Sequence, residues 1–126
     1  ETTTEIVIPM KKLSSLPAEL VLFKKLVRLN CSYNFITNLD NLPPSLQELH
    51  CNHNKLSRVD YLPPNLKTLY IGLNCSIIAL DNLPITLETL DCSRNNLTSL
   101  DNLPPNLKYL KCNYNNLTRL DYLSPN

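Results

Sequence analysis

The chain has 126 residues, of which 43% are hydrophobic and 18% are charged, and this composition is sufficient for the packed core of one domain. Its formal net charge of +1 gives no electrostatic reason to expect nucleic acid or an anionic membrane as the main partner. The sequence has no run of eighteen or more apolar residues, so it predicts no membrane-spanning helix.

The first predicted element is a degenerate turn of a repeat. Ile6 and Ile8 alternate as in a short strand near 6–8, and two further leucines follow before residue 17. The next linker, residues 17–23, has three extra residues and no second proline, so it has room for a helical turn. We expect Phe23, at the end of this linker, to join the core.

The same apolar pattern then recurs along the rest of the chain. In the second turn it consists of Leu29, Cys31, Asn34 and Ile36, and Leu49 begins the equivalent pattern 20 residues later. The later turns follow at spacings of 20 or 21 residues. Further strands are therefore predicted near 29–31, 49–51, 69–71, 90–92 and 110–112. We expect about six turns in a single domain over residues 1–126.

The residues between the predicted strands are rich in proline and asparagine and contain a single glycine. The Pro-Pro pairs fix φ and remove backbone donors, so they predict extended or polyproline-like segments rather than helices. An asparagine follows each strand, and its amide can satisfy the backbone groups of neighbouring turns. The fourth turn has one extra residue, which predicts a bulge near Gly72 and Asn74 and places Cys75 out of register.

These residues fit the consensus L-x-x-L-x-L-x-x-N/C-x-L at nearly every position from Ile6 to Leu123. The chain thus resembles the leucine-rich-repeat family, and its Leu-Pro-Pro linkers are similar to the short LPX type of giant-virus proteins and bacterial effectors. The resemblance implies an α/β-type repeat solenoid that is mostly β. It also implies a curved right-handed solenoid, with parallel strands on the concave face and the extended segments on the convex face.

Four of the five cysteines occupy an inward position that the consensus gives to leucine: Cys31, Cys51, Cys92 and Cys112. Equivalent side chains of parallel strands run side by side, which is poor geometry for a disulfide, so we expect buried free thiols. Free thiols favour a reducing compartment, which predicts an intracellular location in the cytoplasm or in a host cytoplasm. Four N-glycosylation sequons would matter in a secreted chain, but an asparagine-rich repeat creates such sites by chance.

Two groups of residues contain side chains that can bind metals, but neither group has the arrangement that a metal site requires. His50 and His53 flank Cys51, but Cys51 points inward and His50 points outward, so the three cannot converge on zinc. A column of aspartates stands two residues before the linker leucine in every turn after the first, and stacked carboxylates can bind calcium. Aspartate is also a turn former that caps its own backbone, and the glycine-rich calcium repeat is absent. We expect no metal. The aspartates are Asp40, Asp60, Asp81, Asp101 and Asp121.

The sequence offers no catalytic arrangement. Its only histidines are His50 and His53, the register cysteines point inward, and no glycine-rich phosphate loop is present. The bacterial effectors that the linkers resemble can carry a ubiquitin-ligase domain with a Cys-x-Asp motif, and no cysteine here has aspartate two residues later. We therefore expect a protein without enzymatic activity and without a cofactor.

The outward strand positions and the positions just after each strand remain as candidates for function. They are rich in tyrosine, histidine and arginine, and tyrosine and arginine are typical anchors of protein interfaces. The predicted function is a non-catalytic protein-protein interaction module that binds a partner, for example a host protein, on the concave face. The candidate binding residues are Tyr33, His50, His53, Tyr70, Arg94, Tyr109, Lys111 and Tyr114.

Two other functions stay open from the sequence. The last turn, residues 121–126, has no evident polar cap, so a self-assembling structural protein is one alternative. The other is a substrate-recognition fragment of a larger effector such as a ubiquitin ligase, with the catalytic domain outside this sequence.

Overall fold

Six parallel strands form one sheet in the computed structural model, which describes residues 2–119. Each strand pairs with its neighbours in chain order. Each also begins one residue before its predicted range, because the second inward residue of each turn lies just beyond the strand. The strands are β1 (Glu5–Val7), β2 (Arg28–Asn30), β3 (Glu48–His50), β4 (Thr68–Tyr70), β5 (Thr89–Asp91) and β6 (Tyr109–Lys111).

The strand alternation places one leucine of each strand in the core. Leu29, Leu49, Leu69 and Leu90 are register partners across β2–β5 and are completely buried. Complete burial of such a side chain stabilises the fold by about 1.5–3 kcal/mol relative to exposure. The repeated sequence thus builds one continuous core, and the predicted β-solenoid is confirmed.

The asparagine column bonds each turn to the turn before it. The Asn54 Nδ2 group donates to the carbonyl oxygen of Cys51 in its own turn (3.3 Å) and of Cys31 in the preceding turn (3.1 Å). Its Oδ1 atom accepts from the backbone N–H of Ile36 at 2.9 Å. The amide therefore pairs buried backbone groups of two turns. The predicted structural ladder consists of Asn34, Asn54, Asn74, Asn95 and Asn115.

The linkers contain turns where the proline pairs stand. The N–H of Leu46 donates to the carbonyl oxygen of Pro43 at 3.1 Å, and Leu66 bonds Pro63 in the same way at 3.2 Å. The second proline of each pair is well suited to such a turn, because its fixed φ matches the first central position. The longer first linker contains a 3-10 helix, Ala18–Leu22, and Phe23 packs against the core as predicted.

The extra residue of the fourth turn is accommodated just after Asn74. Cys75 has φ of 68° and is exposed, and its N–H donates to Asn95 Oδ1 at 3.1 Å. Ile77 then fills the buried position that Leu56 fills one turn earlier. The pairing of β4 with β5 is uninterrupted, so the irregularity lies outside the sheet, slightly later than the predicted bulge.

The cysteines of the register point into the solenoid. Cys31, Cys51 and Cys92 are completely buried, and Cys112 is partly buried. A side-chain hydrogen bond with Cys31, together with burial, raises the pKa of the Cys51 thiol, and burial raises the pKa of Cys92 to about 12. These thiols are therefore protonated at neutral pH.

Native protein at pH 8 is expected to react rapidly with a thiol reagent at Cys75, slowly at Cys112, and at the other three cysteines only after unfolding. The physical reason is that the thiolate is the nucleophile and that burial shields the sulfur from the reagent. Burial also raises the pKa of Cys92 and of Cys112. A labelling time course with and without denaturant, read by peptide mass spectrometry, measures this. The Cys75→Ser variant should lose the fast phase, and rapid native labelling of Cys31, Cys51 or Cys92 would contradict the assignment.

Candidate functional site

The structure divides the eight candidate residues into two groups. We call the outward-pointing strand side chains the sheet face, and it contains His50, Tyr70, Tyr109 and Lys111. The residue just before each ladder asparagine forms a second row at the end of the strands, which we call the edge row. The edge row consists of Tyr33, His53, Leu73, Arg94 and Tyr114. These groups correspond to the outward strand positions and the positions just after each strand that the sequence distinguished.

On β3 and its neighbours, the sheet face is an ordered network of polar and aromatic side chains. His50 Nε2 lies 2.5 Å from Glu48 Oε1, and the same oxygen lies 3.4 Å from Arg28 Nε. The His50 ring contacts the Tyr70 ring edge-on, with centroids 4.5 Å apart and an interplanar angle of 67°. Arg28 also approaches Glu5, at 3.5 Å. The imidazole is thus held between a carboxylate and an aromatic ring.

The other half of the sheet face is more open. The Asp91 carboxylate accepts hydrogen bonds from the backbone N–H and the hydroxyl of Ser93, at 3.0 and 2.6 Å. Tyr109 is 55% exposed, and Lys111 beside it is also exposed. Both bonds end on Oδ1, so the ring of Tyr109, the ammonium of Lys111 and the second carboxylate oxygen of Asp91 are the groups that this half offers to a partner.

The edge row has an unusual backbone. Its five residues have φ between 54° and 61°, the left-handed region that glycine adopts most easily. For a residue with a Cβ atom, this conformation costs about 1–2 kcal/mol. The solenoid tolerates it because the neighbouring ladder asparagine and the backbone bonds of adjacent turns fix the chain here. The N–H of Tyr33, for example, donates to the carbonyl oxygen of Asn52 at 3.0 Å.

The left-handed turns project large side chains that contact one another from turn to turn. The Tyr33 and His53 rings stack with centroids 4.2 Å apart and planes 16° apart. The Arg94 guanidinium lies 4.3 Å from the centroid of the Tyr114 ring. Tyr33 and Tyr114 remain 54% and 68% exposed, so the contacts order these rings without covering them.

Sequence reasoning missed several residues of this surface. Arg28 and Glu48 position His50, and the available signal was that Glu48 stands two residues before His50 and therefore on the same face of β3. Met10 and Phe35 lie beside Tyr33 and line one groove with it. Their signal was a large apolar residue beside the ladder position, which Lys11 occupies next to Met10 and Asn34 occupies next to Phe35.

The sequence predicted no metal site and no membrane-spanning helix, and the structure can be examined for both over residues 2–119. Within this range no three His, Cys, Asp or Glu side chains are close enough to hold a metal ion. The aspartate column makes contacts with other side chains: Asp81 accepts from Asn102 at 3.1 Å, and Asp101 lies 3.3 Å from Arg119. Asp121 lies outside the described residues. Over the same range, no helix has the length and hydrophobicity needed to cross a bilayer.

Comparison with solved structures identifies similar repeat domains in bacterial proteins. The chain is 39% identical to the leucine-rich-repeat domain of a Shigella effector, with a TM-score of 0.84 over 94% of this chain. It is 38% identical to a functional domain of InlJ from Listeria monocytogenes, with a TM-score of 0.80 over 94% of this chain. It spans 52% and 27% of those two chains. No family model matches the sequence, and no curated protein matches it.

The chain therefore forms a leucine-rich-repeat solenoid that resembles the repeat domains of bacterial effectors. The InlJ domain is described as including a cysteine ladder. Here Cys31 and Cys51 occupy consecutive turns, Ile71 interrupts the column, and Cys92 and Cys112 continue it. The similarity to such repeat domains supports a general role in protein interaction.

Proposed function

We propose that this solenoid is a non-catalytic module that holds a protein partner against its sheet face and edge row. The observation that carries the proposal is a row of interface-type side chains across the sheet. They are half-buried and held by contacts at His50 and Tyr70, and exposed at Tyr109 and Lys111. Glu48 and Tyr70 fix His50, and Tyr109 and Lys111 extend the same face. Side chains that are ordered before binding lose little conformational freedom when a partner docks.

The charge pattern of the sheet face supports a protein partner rather than a polyanion. Arg28 and Lys111 are balanced by Glu48 and Asp91 on the same surface. A mixed surface of this kind gives specificity through complementary charges. A nucleic-acid backbone, by contrast, requires a sustained excess of basic residues.

The proposal includes an intracellular partner, for which a host protein is a candidate. Five free cysteines support it, because unpaired thiols persist in a reducing compartment. The likeness to an effector repeat domain is compatible with a host partner.

The test is affinity capture from candidate host lysate, identification of the partner by mass spectrometry, and measurement of Kd with the purified partner. The triple variant His50→Ala, Tyr109→Ala, Lys111→Ala is expected to weaken binding by at least about tenfold, because interface anchors of these types each contribute about 1 kcal/mol or more. Its thermal midpoint should stay close to that of the parent, since Tyr109 and Lys111 are exposed and Glu48 keeps its contact with Arg28.

The matched control is the double variant Tyr61→Ala, Ile85→Ala. These side chains are 81% and 72% exposed and lie in the linkers, away from the sheet. The control should bind like the parent. Loss of binding in the control, with the triple variant unaffected, would place the partner on the linkers and contradict the proposal.

A further inference from the structure

An apolar groove lies at the start of the edge row. Its volume is about 330 Å³, and Met10, Lys12, Tyr33, Phe35 and His53 line it together with the ladder residue Asn34. Met10 is 75% exposed and Phe35 is 45% exposed. Large apolar side chains that are exposed together typically mark a site where another molecule binds.

The walls of the groove are fixed before any ligand binds. Tyr33 stacks on His53 with centroids 4.2 Å apart, and the Lys55 ammonium lies 4.7 Å from the centre of the Phe35 ring. Asn34 is buried and hydrogen-bonded to the backbone of two turns. The groove is therefore a preformed feature of the solenoid.

The charge along this edge has one sign. A second column flanks the edge row and follows the ladder position of each turn. It consists of Lys12, which follows Lys11 in the first turn, and of Phe35, Lys55, Cys75, Asn96 and Asn116, which follow the ladder asparagines. The two columns contain three formal positive charges, on Lys12, Lys55 and Arg94, and their members between Met10 and Asn116 include no aspartate or glutamate. Each cation stands two turns from the next.

We infer that this edge binds an acidic segment of the protein partner, with one apolar side chain of that segment in the groove. Two turns of a parallel stack span about 10 Å, and a peptide in the polyproline II conformation covers that distance with about three residues and returns its side chain to the same face. The cations therefore select acidic residues about three positions apart. The apolar residue falls between the first two, opposite Met10, Tyr33 and Phe35. This inference rests on the proposed function, because the acidic segment belongs to the same partner that the sheet face binds.

The arrangement favours a peptide over single-stranded nucleic acid. Stacking rings with nearby cations also occur in nucleic-acid sites, but those sites combine them with a continuously positive groove along the backbone. Here only three cations are spread over five turns, and Lys55 and Arg94 each lie against a ring. Single carboxylates at intervals match this spacing better than a phosphate at every nucleotide.

The experiment selects displayed random twelve-residue peptides on the full chain and measures Kd of an enriched peptide by fluorescence anisotropy. Enriched sequences are expected to carry Asp or Glu about three positions apart with an apolar residue between the first two. Lys55→Glu and Phe35→Ala should each weaken the peptide at least tenfold. The matched control Lys67→Glu reverses an exposed lysine outside both columns, before β4, and should leave Kd unchanged.

Three results would overturn the inference. The first is a set of enriched peptides without an excess of acidic residues. The second is that Lys67→Glu weakens peptide binding as much as Lys55→Glu does. The third is that a fluorescent dT12 oligonucleotide binds the parent as tightly as the peptide does and no longer binds the Lys55→Glu variant. The sheet-face triple variant keeps the two proposals distinguishable. It should still bind the acidic peptide, and its effect on the captured partner tests the proposed function whether or not the peptide site exists.

Discussion

Replacing Asn54 with leucine is expected to lower the free energy of unfolding by about 1–3 kcal/mol. The buried Asn54 amide bonds the N–H of Ile36 and the carbonyl oxygens of Cys31 and Cys51. Leucine has a similar size but cannot replace these bonds. The Cys31 and Cys51 oxygens still accept from Asn34 and Asn74, but the Ile36 N–H loses its partner. A buried polar group left without a partner costs about 1–3 kcal/mol. The loss is large because a single side chain serves two turns.

Urea denaturation followed by circular dichroism measures the effect as a lower midpoint. Asn65→Leu is the matched control, because Asn65 is exposed in a linker outside the ladder and the same substitution there should change stability little. Asn115→Leu should have an intermediate effect, since Asn115 is only partly buried. An Asn54→Leu midpoint equal to that of Asn65→Leu would rule out a stabilising role for the ladder.

The fold was predictable because the same pattern of apolar residues recurs in successive turns. Leu29, Leu49 and Leu69 stand at one spacing and make the same contacts, so a misreading of any single turn would leave the pattern intact. The one-residue offset of the strands has a simple cause. Cys31 keeps a strand-type bond, its N–H donating to His50 at 2.9 Å, although the strand proper ends at Asn30.

The candidate surface was less predictable, because its geometry depends on contacts between turns. Period-2 alternation identifies His50 as outward, but it does not show that Glu48 and Tyr70 fix the imidazole. The sequence also does not show that the Tyr33 ring stacks on His53, because this contact requires the left-handed backbone of both residues. Glycine or asparagine normally signals such a conformation, and neither stands at these positions.

This left-handed backbone allows a test that removes the edge-row side chains without straining the chain. The triple variant Tyr33→Gly, Arg94→Gly, Tyr114→Gly is expected to keep a thermal midpoint near that of the parent. Glycine adopts φ near 60° freely, which recovers about 1–2 kcal/mol per site. The greater flexibility of glycine in the unfolded chain costs about 0.5–1 kcal/mol per site, and loss of the ring contacts costs about 0.5–1.5 kcal/mol per pair. These opposing changes nearly cancel.

Partner binding by the same variant is expected to fall by about 100-fold. Three interface anchors worth about 1 kcal/mol each sum to roughly the 2.8 kcal/mol that corresponds to 100-fold in Kd. Leu73→Gly is the matched control, because Leu73 shares the row and its φ of 57° but is not a predicted anchor. It should bind like the parent. Calorimetric melting and a Kd titration with the purified partner separate the two effects, and a triple variant that melts normally and binds at full strength would show that the edge row takes no part in recognition.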